Sequence, residues 1–140
     1  MNKLTLIVPC YNEEEVLPAF YEETSKVLDS MTDVEGEFLF VDDGSKDGTL
    51  RELRALKARD SRCHYLSFSR NFGKEAAMLA GLSNATGDFC VIMDADLQHP
   101  PRLLPEMYEH VKNGEYDCCA GFRKDREGEN VLRSFLSKVL

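Results

Sequence analysis

No apolar stretch in the 140 residues approaches the ~20 needed for a transmembrane helix. Three further patterns are missing: cysteines at C-x-x-C spacing, a G-x-G-x-x-G run, and the glycine-rich P-loop ending in Lys-Ser or Lys-Thr. The first absence argues against a membrane bundle, and the last two against dinucleotide cofactors and P-loop chemistry. Basic residues are scarce, with 17 Lys and Arg against 25 Asp and Glu and a net charge of -8. A domain of that sign repels nucleic acid, so no nucleic-acid partner is expected. An anionic ligand must be met locally, by a divalent cation, helix N-termini or a few arginines. Cys10, Cys63, Cys90, Cys118 and Cys119 are odd in number, and most sit in or beside apolar runs. They read as reduced, buried thiols in a cytosolic setting, because a zinc site would need partners at metal spacing. Met1-Asn2-Lys3 leads straight into an apolar strand, so no signal peptide is expected.

What is present is ordinary globular composition, 43% apolar and 30% charged, at a length that supports one core. Apolar, β-rich runs at Leu4 to Val8, Phe38 to Val41, Cys63 to Phe68, Asp88 to Met93 and Tyr116 to Ala120 predict five strands. Each of the first four precedes a helical stretch: one after Asn12 as N-cap with Glu13, Glu14 and Glu15 in its first turn, then about Asp47 to Arg59, about Gly73 to Ser83, and one from near Pro101. That alternation predicts an α/β domain with a mostly parallel sheet and flanking helices. Val131 to Leu140 carries Leu132, Phe135, Leu136, Val139 and Leu140 at helical spacing, predicting a last amphipathic helix. It stops without a cap, so a longer protein is expected.

In such sheets ligands sit beyond the carboxyl ends of the strands, and there the sequence places its unusual polar residues. Asp94 and Asp96 stand two positions apart at the end of strand four, with Gln98 four residues after Asp94. Two close carboxylates repel unless a cation lies between them, and a hard ion such as Mg2+ or Mn2+ chelated with a diphosphate would relieve that repulsion. The plainer reading is a turn in which the two acids cap the next helix; His99 is set aside as a loop residue. Asp42 and Asp43 end strand two, where a carboxylate suits a ribose hydroxyl or base N–H, and equally a βα turn.

Taken in order, Pro9-Cys10-Tyr11-Asn12-Glu13, Val41-Asp42-Asp43-Gly44-Ser45, Asn71-Phe72-Gly73-Lys74, Asp94-Ala95-Asp96-Leu97-Gln98-His99-Pro100 and Gly121-Phe122-Arg123 resemble family 2 glycosyltransferases of the GT-A fold. The likeness spans essentially the whole chain and is nearest to polyprenyl-phosphate glycosyltransferases. It implies a Rossmann-like nucleotide-diphospho-sugar transferase fold over residues 1–122, with residues 123–140 a basic loop and helix leading to a further region. It places Pro9, Tyr11 and Glu13 around the nucleoside, Val41 and Asp43 on base and ribose, and Asp42 behind that loop. Asp94, Ala95, Asp96 and Gln98 would hold metal and diphosphate, Asp94, Asp96 and Gln98 being the metal set. Arg123 would neutralise phosphate or else lie on the surface, and Lys74 is divided in the same way.

The resemblance further implies an inverting, in-line transfer from a nucleotide-diphosphate sugar, UDP-linked by preference, with Asp94, Asp96 and Arg123 carrying the chemistry. A polyprenyl phosphate acceptor is already ionised near neutral pH, its second pKa being about 6, and so requires no strong base. The full-length protein is then expected at the cytoplasmic face of the cell membrane, with the last helix either in the interface or packed on protein. A silent nucleotide-sugar-binding module and a transferase acting on a saccharide hydroxyl are the alternatives.

Overall fold

Along β1 (Asn2–Cys10), Leu4, Leu6, Val8 and Cys10 alternate with Thr5, Ile7 and Pro9, so the strand offers an apolar row to each side of a sheet. The computed structural model describes residues 1–98 and 100–113 with their side chains, and the strands at 118–122 and 133–137 by backbone. After β1 come α1 (Leu17–Ser30), β2 (Val34–Asp42), α2 (Thr49–Arg59), β3 (Cys63–Ser67), α3 (Lys74–Asn84) and β4 (Phe89–Ile92). A 3-10 turn (Pro101–Leu103), α4 (Leu104–Lys112), β5 (Cys118–Phe122) and β6 (Arg133–Ser137) complete the order. The sheet runs β3-β2-β1-β4-β5-β6. The pairings from β3 through β5 are all parallel, and β6 is antiparallel to β5.

One face buries the larger core. Leu4, Leu6 and Val8 of β1, Phe38 and Phe40 of β2 and Val91 of β4 pack with Leu17 and Phe20 of α1, Leu53 and Leu56 of α2, and Leu104, Met107 and Tyr108 of α4. Phe38 and Phe40 stack with centroids 5.4 Å apart, and Phe20 meets Phe40 edge-on at 6.3 Å. Each such side chain removed from water contributes about 1.5–3 kcal/mol. The opposite face is thinner: Ile7 and Ile92 are covered by Met78 and Leu82 of α3. There Gly81 lies so close to Ile7 that a Cβ would overlap Ile7 Cγ2, which brings α3 hard against β1.

Two expectations are corrected. Asn12 does not cap α1: it is held at φ 53, and its side-chain oxygen accepts from Lys46 N–H at 2.9 Å. The three glutamates precede the helix, which starts at Leu17 with Pro18 in its first turn, where the missing N–H costs nothing. The second correction lies at the end of the chain. Residues 133–137 form a strand rather than a helix, with Ala120 opposite Phe135. An isolated helix of ten residues is shorter than the ~12–15 that hold alone in water, and β5 otherwise leaves an open edge to be paired. Strand five begins at Cys118; the expected start at Tyr116 falls outside the described residues.

Arg62, before β3, ties α1 to the α2–β3 turn. Its guanidinium meets Asp60 Oδ2 at 2.9 Å and Asp29 Oδ1 at 2.9 Å, and Tyr21 donates to Asp60 Oδ2 at 2.6 Å. Hydrogen bonds from Arg62, opposed by burial and joined by Tyr21, hold the Asp60 carboxyl down at about 2. Against an unfolded value of about 3.9, this stabilisation is complete above pH ~4 and is lost as pH falls through about 2. Asp60→Asn should therefore lower stability at pH 7 by about 1–3 kcal/mol and flatten the acid limb of urea-unfolding curves between pH ~4 and ~2. An unchanged acid limb would show that this carboxylate does not govern it.

Candidate active site

Because β1 feeds α1 on one face while β4 follows α3 from the other, the sheet changes direction between β1 and β4. The strand order reverses there, with β2 and β3 to one side of β1 and β4 and β5 to the other, and beside such a reversal a parallel sheet forms its ligand crevice at the carboxyl ends. A cavity of about 200 Å³ occupies that place, lined by Pro9, Cys10, Tyr11, Glu13, Asp43, Lys74, Asp94 and Asp96. Seven of these lining residues, all but Cys10, are among the sequence candidates.

The β1 end is fixed from the β2–α2 loop. Glu13 N–H donates to Thr49 Oγ1 at 2.8 Å, Asn12 N–H to Ser45 Oγ at 2.9 Å, and Glu14 Oε2 accepts from Gly48 N–H at 3.0 Å. Asp47 Oδ1 in turn accepts from Thr49 N–H at 2.9 Å. This lattice presents Tyr11 half in solvent, at 40% exposure, beside the cavity.

Asp42 and Asp43 are both buried, and each carboxylate is satisfied by protein. Asp42 Oδ1 accepts from Ser45 N–H at 3.1 Å, which closes the turn. Asp43 accepts from Phe72 N–H at 2.8 Å, from Gly73 N–H at 3.1 Å and from Asn71 Nδ2 at 3.2 Å. It therefore clamps the loop that starts α3. Gly44 is the one residue type that fits between: its φ is +69, and a Cβ would collide with the backbone of Arg70 and Asn71. Gly73, at φ +105, then turns the chain into α3 at Lys74.

Lys74 reaches across the cavity to Asp94, Nζ to Oδ1 at 2.8 Å. Asp96 Oδ1 accepts from Gln98 N–H at 3.1 Å, so Gln98 braces the loop through its backbone. The Ala95 side chain is buried in the main core, which makes this segment an anchor between two cavity-facing acids. Val41 is fully buried in β2 and does not line the cavity. Arg123 and His99 lie outside the described residues.

Excess negative charge marks the cavity. Burial first, then Asp96, Asp94 and Asp47, push the Glu13 carboxyl above its usual range, with Lys74 opposing. Burial, reinforced by Glu13, Asp42 and Asp94, also drives the Cys10 thiol well up, so it stays protonated and unreactive, donating to Val8 O at 3.3 Å. Cys10 was missed as a lining residue because it falls in phase with Leu4, Leu6 and Val8. The role of Asn71 was missed as well, although the sequence motif contains it.

Hard oxygen donors in this setting suit Mg2+ or Mn2+. Such ions take one or two carboxylates and complete their shell from phosphate and water, so Asp94 and Asp96 are the residues that could hold one without a protein cage. Among the described residues no cluster of three or more His, Cys, Asp and Glu forms such a cage.

The sequence model described as glycosyl transferase family 2 matches residues 5–138. The chain belongs to that family. It is 40% identical to the putative glycosyltransferase CsbB of Bacillus subtilis (strain 168), over 97% of this chain and 40% of that protein. It is 41% identical to a prophage bactoprenol glucosyl transferase homolog of Escherichia coli (strain K12), over 94% of this chain and 42% of that protein. The family 2 chain thus spans about two fifths of the length of the curated relatives it matches. Among solved structures, the mannosyltransferase PcManGT from Pyrobaculum calidifontis, in complex with GDP-Man and Mn2+, superposes with TM-score 0.62 at 30% identity, over 73% of this chain and 30% of that one. Glucosyl-3-phosphoglycerate synthase from Mycobacterium tuberculosis, in complex with UDP, superposes with TM-score 0.64 over 89% of this chain and 46% of that one. At 24% identity the latter speaks to fold alone. The GT-A fold with a mostly parallel sheet and flanking helices is as the sequence predicts.

Asp43→Ala should leave the Phe72 and Gly73 N–H groups without their carboxylate partner, costing about 1–3 kcal/mol in chemical denaturation, and should speed amide exchange at both. Unchanged protection at those two amides would refute the clamp.

Proposed function

We propose that this domain binds a nucleotide-diphosphate sugar, UDP-linked by preference, and transfers the sugar with inversion to a polyprenyl phosphate in a reaction that requires Mg2+ or Mn2+. The observation that carries the reading is the crevice at the β1–β4 switch, where Asp94, Asp96 and Glu13 concentrate negative charge that a cation would neutralise. The names of the bactoprenol glucosyl transferase relatives support the acceptor.

In this reading Asp94 and Asp96 hold the cation, with Gln98 fixing Asp96 through its backbone. Bound there, Mg2+ or Mn2+ supplies positive charge where the leaving diphosphate gains negative charge. Tyr11 and Pro9 form a platform for the base, with Glu13 beside it. Asp43 acts at one remove: its carboxylate is spent on the Asn71–Gly73 loop, so it orders the wall of the nucleoside pocket. Asp42 and Val41 support that wall from inside. The α3 N-terminus adds positive potential beside the phosphates. Arg123 is assigned to the same diphosphate, where a guanidinium fork suits paired oxygens. The acceptor phosphate brings its own negative oxygen, so these residues need to place it in line with the departing diphosphate rather than deprotonate it.

In this proposal the whole protein works at the cytoplasmic face of the membrane, and the bactoprenol-linked names support a membrane setting. Among the described residues no helix is long and apolar enough to cross a membrane. Contact with the lipid surface is assigned to the basic stretch Arg123 to Arg126 and to chain beyond this domain.

Calorimetric titration of UDP and GDP with Mn2+, with EDTA, and with Asp96→Ala tests the proposal. UDP should bind with Mn2+ and should bind roughly tenfold or more weakly in EDTA or in the variant, equivalent to about 1.4 kcal/mol or more. Failure of both nucleotides to bind a demonstrably folded domain would overturn the assignment.

A further inference from the structure

The cavity holds a positive charge of its own. Lys74 Nζ sits 2.8 Å from Asp94 Oδ1, on the carboxylate assigned to the cation. This is more than a chance meeting of surface side chains, because both ends are held. Lys74 is the first residue of α3, and its backbone follows directly on Phe72 and Gly73, whose N–H groups are bound by buried Asp43. Asp94 follows β4 at Met93, which is itself buried and hydrogen-bonded from its N–H to Ile7 O at 3.0 Å. The lysine spans the crevice from one anchored wall to the other.

A carboxylate oxygen that accepts an ammonium at this distance cannot also take a divalent ion at bonding distance without driving two cations together. A cation arriving on Asp94 therefore either displaces Lys74 from Oδ1 or takes Oδ2 against the repulsion of the ammonium, and displacement relieves that repulsion. On leaving it needs a new anion, and the nearest one in the proposed complex is the donor's diphosphate. Its flexible four-carbon stem and 55% exposed side chain allow the move.

We propose that Lys74 is a built-in counterion that occupies the cation position of Asp94 in the unliganded protein and transfers to the diphosphate on binding. Metal and nucleotide binding are thereby coupled. The cation alone competes with Lys74; the cation together with a nucleoside diphosphate does not, because the diphosphate takes the ammonium. The ammonium also offsets part of the repulsion among Glu13, Asp94 and Asp96, which still raises the Glu13 carboxyl alongside burial. This inference rests on the reading of the cavity as a metal and diphosphate site.

The test is Mn2+ binding followed by the electron paramagnetic resonance signal of the free ion, with and without UDP or GDP, in the wild-type chain, Lys74→Met and Lys74→Arg. Lys74→Met should bind Mn2+ alone about fivefold more tightly than wild type, at the low end of coupling between sites, while Lys74→Arg stays near wild type. Added UDP should raise Mn2+ affinity by a larger factor in wild type than in Lys74→Met. Circular dichroism confirms that each variant is folded. If wild type binds Mn2+ with UDP or GDP but Lys74→Met gains nothing for Mn2+ alone, the counterion role is overturned and the metal site stands. If no variant binds Mn2+ under any condition, the metal site itself falls and takes this inference with it.

Discussion

The site depends on one buried carboxylate whose hydrogen-bond partners are protein amides. Asp43 follows β2 under the surface and receives two backbone N–H groups and an amide from the Asn71–Gly73 loop. A buried charge is tolerable only when so satisfied. In meeting that requirement the chain fixes where β3 gives way to α3, and hence where Lys74 begins its reach. Gly44 belongs to the same constraint, since only a residue without a side chain lets the two loops touch. Position 43 therefore links the hydrogen-bond economy of the fold to the electrostatics of the cavity.

On the other wall, order comes from loop hydrogen bonds and burial. The β1 exit is braced by hydroxyl and backbone partners in the β2–α2 loop, and the β4 exit by Met93 and Ala95 sunk in the core. Acids carried on such anchored backbone cannot drift apart to relieve their repulsion, which adds to burial in raising the Glu13 carboxyl. In the proposed reading a cation is the remedy, and its place is the crevice that these residues line.

Much of this was legible in the sequence for identifiable reasons. Strands one to four and the helices between them declared themselves by short β-rich runs alternating with helical stretches, and the polar residues at Pro9–Glu13, Asp42–Asp43 and Asp94–Asp96 lay at the strand ends where a parallel sheet gathers its loops. Other features depended on partners distant in sequence. Nothing local to Asp43 says that its carboxylate is consumed by amides some 28 to 30 residues onward, or that Asn12 turns to Lys46 instead of capping a helix. The last segment misled for a related reason: its helical spacing is real, but the open edge of β5 offered a pairing that periodicity does not encode. The bridge from Lys74 to Asp94 is likewise a tertiary fact.

Gly81 lies on the same helix as Lys74, seven residues along, or roughly 10 Å at the rise of an α-helix. Its missing side chain lets α3 rest directly on Ile7, making that contact a fulcrum and the lysine the far end of a rigid arm. The height from which Lys74 reaches into the crevice thus rests on how closely a helix backbone sits on a single isoleucine, two residues before Pro9 of the cavity wall.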